Sequence, residues 1–557
     1  MIGWRWLGRA KPAVVEAVPP PTPVPSPFVT EWLATVEPFE NRSGDPSLDV
    51  LGRTLGDAVT DALGRVTQGL PSLPPVTVLA ARGAGSATMS TGESSPQGQG
   101  RLLVTGSYTV RGAGLEVVAQ VRDRDGQRLL FACEPVIVPR QPSRDRLEGL
   151  LGQLMGALGI HVVTGLENVS HVPDYSVARD FIACQARRYT EGLAAPCDEI
   201  DRALERDPEF VQPAYLGAIG GIRDRRPDEA VSYLEHIRQR SARLTAYEST
   251  HLALLSAWHQ GDLGTALIAA RSLHEIAPDR LLGATYRSLF AAGLNRPAEV
   301  VESAEALIRT LPRTAVRARR GGEATLLSAY LALGENDKLL ALARQIRSES
   351  PGSTAAFVNE ARALAALGRL DELDSLIEEC RSTVRGSCDA AAVVVEASWH
   401  LAAYGHRQQS LAYAGEAVAA YQAMSEQELQ AKVVYYLYAL RVAERWEEYG
   451  AFAARCVEER PGDREQPWFR SCVGMAAAHR GDRAAATAIL GQLEAEGEYN
   501  PAAYVAAHLG ERDRAIELLR RSLADGVFTY TQIRHWDLDL QPLWDYPPFQ
   551  GLIRPKG

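Results

Sequence analysis

The sequence predicts an α+β fold: a small α/β module near the amino terminus, then an all-α solenoid of helix pairs. Three observations carry this. Strand-like and helix-like segments alternate only as far as about residue 165. From about residue 174 the composition shifts to Ala, Leu, Arg and Glu, and strand signals vanish. In that second part a turn residue returns every 34–39 residues from Gly261 to Gly405, the mark of a repeat, with irregular spacing after Gly405. The chain of 557 residues, nominally several domains, thus reads as one compact module and one long array.

Composition limits the classes of function. Hydrophobic residues make up 46%, charged residues 23% and aromatics 7%, enough apolar material for a large core and unlike a disordered chain. The 59 Lys and Arg against 69 Asp and Glu leave a net charge of −10, so no nucleic-acid partner is expected. Only Lys11, Lys338, Lys432 and Lys556 are lysines. None precedes Ser or Thr as a phosphate-binding loop requires, and none sits in a V-A-I-K-like setting or precedes H-R-D and D-F-G motifs. Phosphoryl transfer is therefore excluded for the chain as it stands. With no G-x-S-x-G, H-E-x-x-H or C-x-x-C pattern either, no catalytic residue, cofactor or metal site is expected.

Residues 1–29 form a proline-rich amino-terminal linker. Trp4 and Trp6 followed by Arg9 and Lys11 read either as an aromatic belt with a basic flank, the trailing edge of a membrane anchor, or as a plain amino terminus. Residues 12–28 carry the prolines of an extended, semi-rigid spacer. No apolar run reaches the roughly 18 residues of a membrane-spanning helix.

The α/β module is expected over residues 30–165. Trp32 to Val36 is a strand candidate, and a turn-rich loop follows through Pro46. Leu48, Leu51, Leu55, Val59, Leu63 and Val66 then recur at helical spacing. Further strands are read at Val76 to Ala80, Leu102 to Val110, Leu115 to Val121 and Arg128 to Phe131. Asp125-Gly126 supplies a hairpin turn between the last two. Leu147, Leu150, Leu151, Leu154 and Leu158 place a second helix over 143–160. Residues 81–100, rich in Gly, Ser and Gln, read as a flexible loop.

The solenoid is expected over residues 174–527 as about nine or ten helix pairs. The turn residue is followed five positions later by a small or apolar one: Gly261/Ala266, Asn295/Val300, Gly334/Leu339, Gly368/Leu373, Gly405/Ser410, Gly481/Ala486 and Gly510/Ala515. Pro278, Pro312 and Pro351 follow twelve residues after the second member of three pairs. Glycine ends the first helix in a left-handed cap, the small residue lets the second helix approach, and proline stops it. This is the tetratricopeptide-repeat signature.

The stretch Glu37-Pro-Phe-Glu-Asn-Arg-Ser-Gly-Asp-Pro46, the helix after it and Val104-Thr-Gly-Ser-Tyr108 resemble a TolB-amino-terminal-like domain. The end of the sequence, Leu540-Gln-Pro-Leu-Trp-Asp-Tyr-Pro-Pro-Phe-Gln-Gly-Leu-Ile-Arg-Pro-Lys-Gly557, looks like the close of the same architecture. The whole is similar to the region behind the transmembrane helix of bacterial serine/threonine protein kinases, without the kinase domain. That resemblance implies a sensor or interaction region. Residues 528–557 are expected to cap the array, with Trp536, Trp544, Tyr546 and Phe549 covering its apolar end.

Two groups stand out as partner-binding candidates. Arg313, Arg317, Arg319 and Arg320, followed by Gly321-Gly322, read as a solvated loop or as a binder of acidic peptide. Tyr435, Tyr436 and Tyr438, with Trp446, read as core between repeats or as lining of the concave groove. Cys184/Cys197, Cys380/Cys388 and Cys456/Cys472 fall 13, 8 and 16 residues apart, each across a helix connection, so they read as three local disulfides or as buried thiols.

The function expected is that of a non-enzymatic scaffold, binding a protein or peptide in the groove of the array. The alternatives are a detached regulatory region of a membrane serine/threonine kinase and small-ligand binding by the α/β module. The cysteine pairs and proline spacer favour an extracytoplasmic, periplasmic-face location, with a membrane-associated kinase or envelope protein as partner.

Overall fold

A computed structural model describes residues 31–68, 76–80, 99–123, 128–140, 147–164, 169–191, 197–224, 226–278, 281–310, 316–383, 388–463, 465–524 and 536–556. The fold class is α+β, a sheet module followed by a tetratricopeptide-like run of helix pairs. The chain divides into two compact units: residues 7–284 with 306–321, and residues 285–305 with 322–557.

In the first unit, β1 (Glu31–Val36) is followed by β2 (Glu40–Asn41), α1 (Asp49–Gln68), β3 (Val76–Ala80), β4 (Gln99–Arg111), β5 (Gly114–Asp123), β6 (Leu129–Ala132), β7 (Val136–Pro139) and α2 (Glu148–Thr164). The sheet order is β3-β1-β4-β5-β6. Strands β3 and β4 flank β1 in parallel, with Ala34 opposite both Val78 and Leu102. β5 runs antiparallel to β4, and both β6 and β7 pair antiparallel with β5. Strand β7 was not read in the sequence, because Val-Ile-Val-Pro is short and ends in a residue that strands tolerate mainly at edges. Of the predicted loop at 81–100, residues 81–98 lie outside the described residues and 99–100 instead begin β4, and the turn at Asp125-Gly126 also lies outside them.

Alternation on β5 turns Leu115, Val117, Ala119 and Val121 inward against Leu55, Val59 and Leu63 of α1 and the leucines of α2. The Glu37 to Pro46 stretch builds the entry to α1. Phe39 is buried, and a Cβ on Gly106 would lie 2.3 Å from its ring. A glycine in mid-strand here makes room for the ring. Tyr108 donates to the carbonyl of Leu48 at 2.7 Å. Asn41, Ser43 and Asp45 hydrogen-bond one another around the turn.

Helix α2 is apolar on two sides, facing the sheet with its leucines and the array with Ile160, which packs on Val177, Phe181, Ile182 and Phe210. The array begins with α3 (Tyr175–Glu191) and α4 (Glu199–Arg206), α5 (Gln212–Arg223) and α6 (Pro227–Arg238), and α7 (Ala246–His259) and α8 (Leu263–Ile276). Glu248 of α7 completes a capping box with Thr245 and also accepts from the Ser170 amide and from Gln212, tying the exit of α2 to two first helices.

The run continues with α9 (Leu281–Gly293), α10 (Pro297–Thr310), α11 (Val316–Leu333), α12 (Asn336–Glu349), α13 (Thr354–Ala366), α14 (Leu370–Ser382), α15 (Ala390–Ala403), α16 (Arg407–Gln422), the short α17 (Glu426–Gln430), α18 (Val433–Val442), α19 (Trp446–Glu459), α20 (Gln466–His479), α21 (Arg483–Ala495), α22 (Tyr499–His508), α23 (Arg512–Ala524) and α24 (Pro547–Ile553). First helices end in a left-handed residue: Gly261, Asn295, Gly334, Gly368, Gly405, Gly481 and Gly510 all have positive φ. Glu444 at φ 57° holds the same place between α18 and α19, where the sequence periodicity faltered. The partners five residues on, Ala266 through Ala515, are all buried.

A candidate peptide-binding face

The second unit brings side chains from successive first helices onto one face. Arg362 of α13 pairs with Glu396 of α15 at 3.0 Å, both mostly buried. Tyr435 of α18 lies beside them, its hydroxyl raised by burial first and then by the Glu396 charge. Further along, Trp399 of α15 lies 4.7 Å from the ring of Tyr438, and Tyr438 lies 5.7 Å from Trp468 of α20. Arg441 sits over Trp446 at 4.6 Å, and His479 stacks on Trp446 at 3.6 Å. Arg441, His479 and His508 stand in the last turns of their helices, where the dipole favours cations and donors.

Residues 536–556 lie on this second group. The Trp399 indole donates to the carbonyl of Trp536 at 2.6 Å, and Arg441 Nη2 donates to that of Leu538 at 2.6 Å. His508 Nε2 is 3.1 Å from the Asp539 carbonyl. A carbonyl only accepts, so this nitrogen carries the proton, and His508 Nδ1 accepts from His479 Nε2 at 2.7 Å. Tyr504 donates to Asp537 at 3.4 Å. The backbone from 538 to 543 forms a 3-10 turn capped by the Asp537 side chain, and Leu538, Leu540 and Leu543 are buried. The segment then meets α23 through Asp545 with Arg512 and Tyr546 with Asp513. It ends at the turn after α9, where Asn295 donates to the carbonyls of Ile553 at 3.0 Å and Arg554 at 2.7 Å, and accepts from the Lys556 amide at 2.7 Å. Besides α23, it reaches α15, α18, α20, α22 and Asn295.

Titratable groups of the segment and of the face beneath it meet here. Burial pushes Asp537 well above the ordinary carboxylate range, and the neighbouring Asp539 adds to this. Asp539 is also raised by burial, opposed by Arg441 and by a hydrogen bond from Trp468. Loss of solvent and then the Arg441 charge push His479 down to about 4 and His508 well below its usual value. The donor chain to Asp539 requires a neutral His508, whose Nδ1 must accept, and the downward shifts of both imidazoles agree with it.

The predicted site residues are placed as follows. Arg313 lies outside the described residues, and the side chain of Arg317 is not described. Arg317, Arg319, Arg320 and Gly321-Gly322 lie within α11, which corrects the reading as a loop. Arginine is a good helix former, and the buried Leu326, Leu327 and Tyr330 further along outweigh about 1 kcal/mol per glycine. Arg319 donates to the Ile308 carbonyl at 3.4 Å. Tyr436 is core, packed on Tyr421 and Phe452. Tyr435 and Tyr438 lie on the first-helix face of the second unit.

Cys184 with Cys197 and Cys380 with Cys388 are bridged, with Cα separations of 5.4 and 5.6 Å. Cys456 and Cys472 are separate buried thiols, in place of a third bridge. Cys472 is hydrogen-bonded to Tyr449, and burial raises both thiols. Among the described residues no His, Cys, Asp and Glu cluster suits a metal, and no helix is long and apolar enough to cross a membrane. Sequence reasoning missed Trp399, Arg441, Trp468, His508 and Asp539. Arg441 and His508 close first helices, Trp399 and Trp468 stand within theirs, and Asp539 belongs to the covering segment, so they share no sequence signal and become meaningful only once that segment is placed.

No family model and no curated protein matches the sequence. Among solved structures the chain is similar to one in the structure of Naa15/Naa10 bound to HypK-THB, at 11% identity and a TM-score of 0.26, over 68% of this chain and 61% of that one. It is also similar to the TPR domain of P58(IPK), at 11% identity and a TM-score of 0.16, over 66% of this chain and 96% of that one. The chain thus spans less than two thirds of the first of these.

Proposed function

We propose that this chain is a non-enzymatic protein-interaction or signal-sensing scaffold that receives a protein or peptide along its row of first helices. One observation carries the reading: side chains from α15, α18 and α22 already hold a stretch of polypeptide by three of its main-chain carbonyls. A face that grips backbone in this way suits peptide ligands. The α/β module is read as TolB-like, its Glu37 to Pro46 stretch serving to seat Phe39 and start α1 rather than to bind a ligand.

A photo-crosslinking residue at Tyr435, on the face, and another at the exposed Lys338 of α12 test this in the native host. A discrete adduct from Tyr435 and none from Lys338 is expected. Equal labelling from both, or none from either, overturns the reading.

The second reading, a regulatory region working with a membrane serine/threonine kinase, is supported by the resemblance of the 37–46 and 540–557 stretches. The two bridges favour an oxidising compartment. Alkylation before reduction is expected to label only Cys133, Cys456 and Cys472 of the denatured protein. Labelling of all 7 cysteines would remove that support.

A further inference from the structure

We infer that residues 536–543 are a resident pseudo-ligand of a peptide-binding site on α15, α18, α20 and α22, and that the partner which replaces them carries an acidic, leucine-rich segment of the same Asp-Leu-Asp-Leu character. This rests on the scaffold reading above and names the chemistry of its partner. Three donors, from Trp399, Arg441 and His508, reach main-chain carbonyls that any peptide possesses. Sequence selectivity comes from elsewhere. Arg441 and the Trp468 indole face the Asp539 carboxylate, and Leu538, Leu540 and Leu543 fill closed apolar positions. A basic or polar segment would leave Arg441 buried beside an unmatched group.

The resident is also a compromised occupant. It places the half-buried Asp537 carboxyl near the buried Asp539 in a site that supplies one guanidinium, with Tyr504 donating to Asp537, the Trp468 indole donating to Asp539 and two imidazoles beyond. A segment with a neutral residue in place of Asp537 keeps every donor contact and loses the repulsion. The resident persists because it belongs to the same chain as its site, which makes its binding intramolecular and gives it an effective concentration that a free peptide lacks. A free partner must exceed that value or bind more tightly.

The test uses the full chain with a protease site inserted within 525–535 and cleaved after folding, which breaks the covalent link between α23 and the resident. A fluorescent peptide of residues 536–557 is added and followed by gel filtration, mass spectrometry and far-UV circular dichroism. Uptake of one labelled peptide per chain, with release of the resident and no loss of helix signal, is expected. A peptide carrying Asp537→Asn should compete at least fivefold better than the native sequence, and one carrying Asp539→Ala at least tenfold worse. In the protein, Trp399→Phe, which keeps the ring and removes its donor, should speed exchange at least fivefold. Failure of the folded, cleaved protein to take up label, or release of the segment only together with the helix signal, would show an integral strut and overturn the proposal. Tyr435 crosslinks would survive that outcome, whereas failure of the scaffold reading abolishes them.

Discussion

Arg441 and Asp539 meet at 3.4 Å with each side chain only 5% exposed, and the same guanidinium donates to the carbonyl one residue before the aspartate. One arginine on a first helix thus answers both the charge and the backbone of a segment that lies far from it in sequence.

Arg441→Ala leaves Asp539 buried without its cation. Breaking a buried pair from one side costs about 3–5 kcal/mol, whereas a matched apolar replacement of both partners is often neutral. Chemical denaturation should show a loss of that size for Arg441→Ala. Combining Arg441→Met with Asp539→Leu should recover more than half of it.

Asp537 has the opposite sign from most carboxylates. Its folded-state pKa lies above the unfolded value, so the folded protein binds the extra proton and stability falls as pH rises from about 4 toward the folded value. The cost is complete above that value. Asp537→Asn keeps the cap to the Asp539 amide and removes the charge. Its unfolding midpoint should exceed that of the native chain by the equivalent of about 1 kcal/mol at pH 7, and the gap should close toward pH 4.

Asn295 and Glu444 share the left-handed conformation, at φ 58° and 57°, but glycine should act oppositely at the two sites. Glu444→Gly relieves about 1 kcal/mol of backbone cost and gives up only an exposed pair with Arg407. Asn295→Gly relieves the same strain but loses two side-chain hydrogen bonds to Ile553 and Arg554. Thermal unfolding should rise for the first and fall for the second, with limited proteolysis of the last residues increasing only in the second.

Gly106→Ala would set a Cβ 2.3 Å from the Phe39 ring. Overpacking of this kind costs about 1–3 kcal/mol. Adding Phe39→Leu should restore part of the loss, which a double-mutant cycle measures directly.

Most of the helix pairing was legible because each turn needs a left-handed residue, and glycine or asparagine announces it. The pair α18–α19 was hidden because Glu444 does the same work against its preference. In the module, α1 and the longer strands followed from periodicity, whereas β7 was too short to register. The face of the second unit was legible only in Tyr435 and Tyr438. What covers it was not, since indole and guanidinium groups donate to carbonyls and so leave no pattern in the covered sequence.

The bond from Trp399 to Trp536 spans 137 residues, whereas the helix pairs around it close within their own repeats. On a ribosome adding about 5–20 residues per second, Trp399 would emerge roughly 7–27 s before its acceptor. During that interval α18, α20 and α22 are added in turn, and the whole face stands complete but uncovered over its last 28 residues, from His508 to Trp536, or about 1–6 s. Biosynthesis therefore contains a timed window in which a chaperone, or a partner already present, meets this surface before the chain's own segment does.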